Sequence, residues 1–382
     1  MRGFFVLETC CETFYRWAMS VFVSSLTLSH FRSHQRTRMV LDGRPVVLSG
    51  LNGAGKTNIL EAVSLLSPGR GLRRASVDEI ARRPQALGWK IRAEIAAPDG
   101  LRAVETWAEP GQSRQLRIDE KAAPQTALGE VTAMLWLTPA MDRLWLEGAD
   151  GRRRFLDRIV LSFRPDHAAQ SLSYEKAMRQ RNKLLREGVN NARWYAALEA
   201  QMAEAGAKIA ANRRHGLASL AAHGDPDGPF PEAELTLDCT APHQAGELAT
   251  LLAEGRRRDM AAGRSLAGPH RADLQAIWAT KGMAAQHCST GEQKALLISI
   301  ILANARALAT LRGGPPILLL DEVAAHLDVG RRAALYDAVC DLGAQAFLTG
   351  TGAELFTELG VRAQHFNVFE SDGLSQLQEI SQ

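Results

Sequence analysis

Between Val21 and about Ala127 the chain alternates apolar and polar positions in short runs. The stretch from Val21-Phe22-Val23, then Leu26-Thr27-Leu28, Arg38-Met39-Val40-Leu41 and Trp89-Lys90-Ile91-Arg92-Ala93-Glu94-Ile95 predict strands. Asp42-Gly43 is a hairpin turn signal between Arg38–Leu41 and the apolar run Val46-Val47-Leu48-Ser49, which reads as a buried strand. From about Asp150 to His223 the period lengthens to that of a helix: Tyr174, Met178, Asn182 and Leu185 recur on one face, as do Trp194, Leu198, Met202, Ala205 and Ile209. The breaker-rich Gly224-Asp225-Pro226-Asp227-Gly228-Pro229 ends that region. The last third returns to α/β character. A long apolar helix is expected over Ala295–Ala305, a buried strand over Ile317–Leu320, a helix over Arg331–Leu342 and a strand over Ala346–Thr349. The organisation expected is an α/β head formed by residues 21–139 and 231–382, split by a helical lobe at 140–230.

Composition adds limits. The 382 residues are 46% hydrophobic and 23% charged, as in globular proteins, and the net charge is only +3. Any nucleic-acid site must therefore be a local basic patch. Five cysteines, an odd number without a C-x-x-C pair, fit a reduced, cytoplasmic protein. No apolar run approaches the length of a membrane span, so no membrane partner is expected. Met1 to Ser20 lacks the features of a signal peptide. Met19 precedes the first strand-like segment, so residues 1–20 read as an N-terminal extension, with an alternative or misassigned start.

The strongest chemical signal is Gly50-Leu51-Asn52-Gly53-Ala54-Gly55-Lys56-Thr57, a match to the phosphate-binding loop G-x-x-x-x-G-K-[ST]. It stands between the strand Val46–Ser49 and helical spacing from Asn58 to Leu66. Strand, glycine loop and helix aim backbone N–H groups and a helix N-terminus at phosphate. Lys56 supplies a point charge to the β- and γ-phosphates, and Thr57 a hydroxyl to Mg2+, which needs few protein oxygens.

Two further motifs follow. Ile317–Leu320 is an apolar strand ending in Asp321-Glu322, and two acids at a buried strand end call for a cation. Asp321 is the candidate Mg2+ residue, through water, and Glu322 the candidate to orient or deprotonate the attacking water. Ser289-Thr290-Gly291-Glu292-Gln293-Lys294 opens the apolar helix. Its Ser289 and Glu292 are spaced as a capping box, which is a sufficient structural explanation. About thirty residues before Asp321, it also stands where an ATP-binding-cassette signature would, with Ser289 and Gly291 meeting the γ-phosphate of ATP held by another subunit. Asp328 then falls at a loop crossing the dimer interface, and Thr349 to Thr351 at a switch segment.

Basic residues cluster at Arg70, Arg73 and Arg74, at Arg152 to Arg154, at Arg179, Arg181 and Lys183, and at Arg256 to Arg258. Such clusters suit contact with a phosphate backbone, and few aromatics are interleaved with them for base stacking.

Beyond the three ATPase motifs, the chain resembles the RecF family. The resemblance runs from Leu26-Thr27-Leu28-Ser29-His30-Phe31-Arg32 through Leu65-Leu66-Ser67-Pro68-Gly69-Arg70-Gly71-Leu72-Arg73 to the C-terminus. Its discriminating pieces are Arg152-Arg153-Arg154-Phe155-Leu156-Asp157, Gln180-Arg181-Asn182-Lys183-Leu184-Leu185 and Gly268-Pro269-His270-Arg271-Ala272-Asp273-Leu274. General ATP-binding cassettes lack these three. The resemblance implies a P-loop, SMC-like ATPase head of ABC type with an inserted helical lobe and no long coiled coil. It implies ATP-driven homodimerisation, weak ATPase activity, and ATP-dependent DNA binding at single-strand gaps and double-strand junctions. RecR is the implied partner, and RecA the protein indirectly served by loading onto gaps. Arg70, Arg73 and Arg74, following the phosphate-loop helix, are the first candidates for DNA contact. Ala272, where the family often has an acid, and Gly350 within the switch depart from its pattern.

Three other readings stand beside this one. A transporter's nucleotide-binding subunit carries the same motifs but places the signature much closer to the phosphate loop, without the helices that fill this interval. A soluble metabolic kinase has no role for the Ser289 motif. An inactive scaffold would not need Lys56, Thr57, Asp321 and Glu322 together.

Overall fold

The computed structural model describes residues 21–380 except 86 and 326. The N-terminal extension, including the start expected at Met19, lies outside the described residues. Helices of seven residues or more are numbered below. In chain order the first part contains β1 (Phe22–Phe31), β2 (His34–Val40), β3 (Val46–Ser49), α1 (Lys56–Ser64), β4 (Trp89–Ala97), β5 (Gly100–Ala108), β6 (Gln115–Ile118), β7 (Lys121–Ala122) and β8 (Met134–Leu137). The middle contains α2 (Ala149–Phe163), α3 (His167–Arg186), α4 (Ala192–Ala222), β9 (Ala233–Asp238), α5 (Ala245–Glu254), α6 (Arg256–Ala262), β10 (Asp273–Trp278), β11 (Met283–Ala284) and α7 (Thr290–Arg312). The last part contains β12 (Ile317–Leu320), α8 (Val329–Leu342), β13 (Ala346–Gly350), β14 (Gln364–Ser371) and β15 (Leu374–Ile380).

Two compact units result: residues up to Met141 together with Leu308 onward, and Asp142–Ala307. The first unit holds two six-stranded sheets. One, ordered β2-β1-β4-β5-β6-β7, is antiparallel. The other, ordered β15-β14-β3-β13-β12-β8, is parallel except where β15 pairs antiparallel to β14. Every residue of β3, β8, β12 and β13 is buried, which is why these strands read as unbroken apolar runs. β4 instead alternates buried and exposed positions, matching its alternating sequence. The unit's core joins Leu26, Leu28 and Phe31 of β1 to Ile59, Leu60 and Val63 of α1 and to Leu319 and Phe347 of the parallel sheet.

The turn at Asp42-Gly43 is present, with Gly43 at φ 92°. It is not the turn of a hairpin, because β2 pairs with β1 while β3 lies between β14 and β13 of the other sheet. The turn moves the chain from one sheet to the next, and local sequence carries no signal for which strand lies alongside.

The second unit extends well beyond the expected boundary at 230. Leu248 and Leu252 of α5 share a core with Tyr174 of α3 and Met202 of α4. The three-stranded antiparallel sheet β11-β10-β9 belongs to the same unit. In α4 the buried stripe includes Tyr195, Glu199 and Met202, whereas Trp194 is 57% exposed. Met202, Ala205 and Ile209 are buried and Leu198 packs against the same core, as the helical spacing predicts; only at the N-terminal end does Trp194 turn outward while Tyr195 and Glu199 are buried, Glu199 in an ion network. The Arg181 side chain, fully buried, donates to Glu199 Oε1 at 3.1 Å, to Asp259 Oδ2 at 2.7 Å and to the Leu252 carbonyl at 2.9 Å. A buried charge of this kind persists only when paired and hydrogen-bonded.

By length and hydropathy α7 could cross a membrane, against the expectation that no segment reaches that length, but 72% of its apolar window is buried inside the protein. It is a core helix, apolar on most of its circumference for that reason.

Candidate nucleotide site

The phosphate loop leaves the C-terminal end of β3, at the centre of the parallel sheet, and enters α1. Gly50, Gly53 and Gly55 have φ of 150°, 87° and 109°. At two of these positions a side chain is also excluded by its neighbours. A Cβ on Gly50 would lie 2.0 Å from the Val368 carbonyl oxygen, and one on Gly55 would lie 2.3 Å from Ser375 Oγ. Leu51 is 80% exposed, and Asn52 and Gly53 are exposed beside it, whereas Ala54, Gly55 and Lys56 are buried. The loop thus offers its tip outward and anchors its base.

Residues distant in sequence supply the anchor. Ser375 Oγ donates to the Ala54 carbonyl at 2.6 Å and lies 2.6 Å from Ser33 Oγ. Asn58 Nδ2 donates to Ser33 Oγ at 2.7 Å. His34 Nε2 meets the Gly55 carbonyl at 3.1 Å, and its Nδ1 meets Thr37 Oγ1 at 2.9 Å. Burial pushes the His34 pKa down, favouring a neutral ring that donates from Nε2 and accepts the Thr37 hydroxyl. The Gly350 carbonyl accepts the Gly50 N–H at 3.2 Å. Sequence reasoning missed Ser33, His34 and Ser375, since a serine in a turn or on a strand, like a single histidine, carries no signal of what it will touch.

Lys56 Nζ donates to the carbonyls of Gly50 at 2.6 Å and Leu51 at 2.9 Å. Burial lowers its pKa, and the negative charges of Glu322 and Asp321 oppose that shift. The ammonium is therefore held at the mouth of the loop, where phosphate oxygens would exchange with the carbonyls.

The structure brings the acids of β12 to the same place. Asp321 Oδ1 accepts hydrogen bonds from Thr57 Oγ1 at 2.9 Å and Thr349 Oγ1 at 2.8 Å. The Glu322 N–H donates to Thr349 Oγ1 at 2.8 Å, so one buried hydroxyl ties the Asp321 carboxylate to the Glu322 backbone. Glu322 has φ 50°, unusual for a residue with a side chain. Backbone strain of this kind at a strand end is a feature that clusters at functional sites. Thr57 and Asp321 together present a hydroxyl and carboxylate oxygens, a donor set that fits Mg2+. Among the described residues no group of three or more His, Cys, Asp or Glu forms a denser metal site.

Gly350 has a packing reason for lacking a side chain, since a Cβ there would lie 2.6 Å from the Phe356 ring. Asp328 caps α8, accepting the Arg331 N–H at 2.9 Å, with its side chain exposed; neighbouring His326 is not among the described residues.

Ser289 and Gly291 belong to the second unit. Ser289 is exposed ahead of the first turn of α7. Its N–H donates to Glu292 Oε2 at 2.8 Å, and its Oγ accepts the Glu292 N–H at 3.4 Å, so the capping box is present. Gln293 Nε2 donates to the Cys288 carbonyl at 2.9 Å and fixes the loop from inside.

The basic clusters separate on inspection. Arg70, Arg73 and Arg74 are all exposed. Arg73 and Arg74 line a groove of about 910 Å³ with Arg32, Arg82, Arg83 and Asn58. Arg73, however, donates to Asn58 Oδ1 at 2.8 Å and pairs with Glu61 at 3.2 Å, so it also braces α1. Arg152 is committed to Asp273 through bonds of 2.7 and 2.9 Å, Arg153 to the Ala272 carbonyl at 2.8 Å, and Arg154 pairs with Asp150. Arg181 is buried, and Arg256 pairs with Glu199. Apart from Arg154, which is exposed and pairs only along its own helix, these arginines hold the second unit together and are poor candidates for a ligand surface.

Comparison with known proteins agrees with this geometry. The RecF/RecN/SMC N terminal domain family matches residues 22–375. The chain is 48% identical over 365 residues to the DNA replication and repair protein RecF of Rhizobium etli, covering 91% of this chain and 97% of that one. It is 47% identical over 362 residues to the protein of the same name from Mesorhizobium japonicum, covering 91% and 96%. Its fold is similar to a solved structure of the recombination mediator protein RecF-ATPrS in the RecFOR pathway. The TM-score is 0.80 at 21% identity, covering 96% of this chain and 100% of that one. It is less similar to an Smc head domain derived from Pyrococcus furiosus, at a TM-score of 0.56 and 14% identity, with 94% and 96% covered. These relatives give no support to a transporter subunit.

Proposed function

The chain belongs to the RecF family of DNA replication and repair proteins, and from that premise we propose that it is an ATP-switched, DNA-binding dimer of recombinational repair. The observation that carries this reading is the convergence of Lys56, Thr57, Asp321 and Glu322 at one loop, with Thr349 joining the Asp321 carboxylate to the Glu322 backbone. The exposed Ser289 supplies a donor suited to a nucleotide held by a second copy. In this reading the N–H groups of residues 51–57 and Lys56 hold the ATP phosphates, and Thr57 and Asp321 hold Mg2+, Asp321 through water. When bound, the metal neutralises charge developing between the β- and γ-phosphates. Glu322 orients the attacking water and accepts its proton. Gly291 keeps the signature loop open to the γ-phosphate, and Asp328 faces the partner across the dimer. Hydrolysis is slow and resets the switch.

DNA binding follows from joining two copies. Arg70 and Arg74 of each head contribute phosphate contacts that add only in the ATP-bound dimer. The target is duplex beside a single-strand gap, with RecR as partner and RecA loading as the outcome, in the cytoplasm. The test is binding to gapped duplex with and without ATP, alongside sedimentation. ATP is expected to convert monomer to dimer, to raise DNA affinity and to steepen its salt dependence. An oligomer indifferent to ATP, with DNA affinity also unchanged, would overturn the proposal.

A further inference from the structure

The signature serine sits beside a full negative charge. Glu292 caps the Ser289 N–H from the first turn of α7. A helix N-terminus suits an incoming phosphate, but a carboxylate one turn away repels it. Ser289 is exposed; its oxygen accepts the long 3.4 Å bond from the Glu292 N–H, and its hydroxyl also contacts the Glu292 carboxylate.

Lys281 answers that charge. Its Nζ pairs with Glu292 Oε1, while Glu292 Oε2 stays on Ser289. The pairing is placed by the fold. Lys281 lies in the turn between β10 and β11, where Trp278 pairs with Met283 and Gly282 takes φ 59°. The Lys281 ammonium stands 4.2 Å from the centre of the Trp278 ring, and Trp278 Nε1 donates to Thr280 Oγ1 at 2.7 Å, locking ring and turn together. The contact with Lys281, followed by those with Ser289, pulls the Glu292 pKa down to about 2, so the carboxylate stays ionised at any working pH.

We infer that Lys281 is a positioning residue of the composite ATP site: it neutralises Glu292 and keeps that carboxylate turned onto the Ser289 N–H, so that a second copy's γ-phosphate meets the serine without a repelling charge. This inference rests on the dimer reading above.

The experiment compares wild type, Lys281→Ala, Lys281→Arg, Glu292→Gln and the double variant Lys281→Ala/Glu292→Gln. Dimerisation is measured by sedimentation with a non-hydrolysable ATP analogue, and monomer affinity for that analogue by calorimetry. Lys281→Ala is expected to weaken the dimer roughly fivefold per composite site, hence about twenty-five-fold for a two-site dimer. Lys281→Arg should keep it, and analogue affinity should be the same throughout. The decisive arm is the double variant. Glutamine still accepts the Ser289 N–H but carries no charge, so Glu292→Gln should restore the Lys281→Ala dimer. A Lys281→Ala dimer as tight as wild type, or a double variant as weak as Lys281→Ala, overturns the inference. A wild type that does not dimerise with the analogue sinks the dimer reading itself.

Discussion

The Thr57 hydroxyl donates to Asp321 Oδ1 at 2.9 Å, across 264 positions of sequence. β3 and β12 flank β13 in the parallel sheet, so the loops at their C-terminal ends meet. A cation shared by both side chains would replace this hydrogen bond.

Lys56 and Glu322 separate binding from turnover. Lys56→Ala should weaken ATP binding about a hundredfold, because a charge-assisted set of contacts to phosphate is lost. Calorimetry checks it, and unchanged affinity would remove the phosphate-loop assignment. Glu322→Gln should keep ATP bound and slow hydrolysis by about a hundredfold or more. Steady-state turnover equal to wild type would show that another group handles the water.

Thr349 is expected to matter through its hydroxyl alone. Thr349→Val preserves shape but removes the hydroxyl that accepts the Glu322 N–H and donates to Asp321. A loss of about 1–3 kcal/mol in stability should follow, together with weaker Mg2+ dependence of ATP binding. Chemical denaturation and a Mg2+ titration read the two effects, and Thr349→Ser should retain most of both.

His270 gives the second unit an acid-sensitive contact. Its Nδ1 meets the Tyr174 hydroxyl at 2.7 Å and its Nε2 the Ser265 carbonyl at 3.1 Å. Burial first, with the nearby Arg271 and Arg153, lowers its pKa from 6.5 to about 4. The unfolded chain thus binds the proton more readily. The contribution of His270 is full above pH 6.5 and is lost as pH falls from there through about 4. His270→Gln should flatten the stability slope across that window by up to one proton. Denaturation midpoints at several pH values check it; identical slopes would show that His270 does not titrate there.

Arg70 and Arg74 are the cleaner test of DNA contact, because Arg73 also holds Asn58 and Glu61 of α1. Replacing Arg70 and Arg74 with Ala should weaken DNA binding and flatten its salt slope while leaving ATP affinity intact. Replacing Arg73 should lower both. DNA binding by the double variant that equals wild type in affinity and salt slope would move the site elsewhere.

The sequence by itself determined the elements and the chemistry that is local. The glycine loop between Val46–Ser49 and α1, the acids closing Ile317–Leu320 and the Ser289–Glu292 box each lie within one short segment. Their spacing is enough, because a phosphate loop, a strand end and a capping box are built from neighbours in the chain. Tertiary structure alone decided what those segments meet. It sent β2 and β3 to different sheets, turned Trp194 outward, and extended the second unit to Ala307. It also assigned Ser375 to the Ala54 carbonyl, Thr349 to the Asp321 carboxylate and the Glu322 backbone, and Lys281 to Glu292. The same decision split the basic clusters: Arg181 and Arg152 became internal ties, whereas Arg70 and Arg74 remained on the surface. Pairing across sheets and burial of charge depend on which segments pack together. That is set by the summed fit of many distant side chains, and no single stretch of the chain records it.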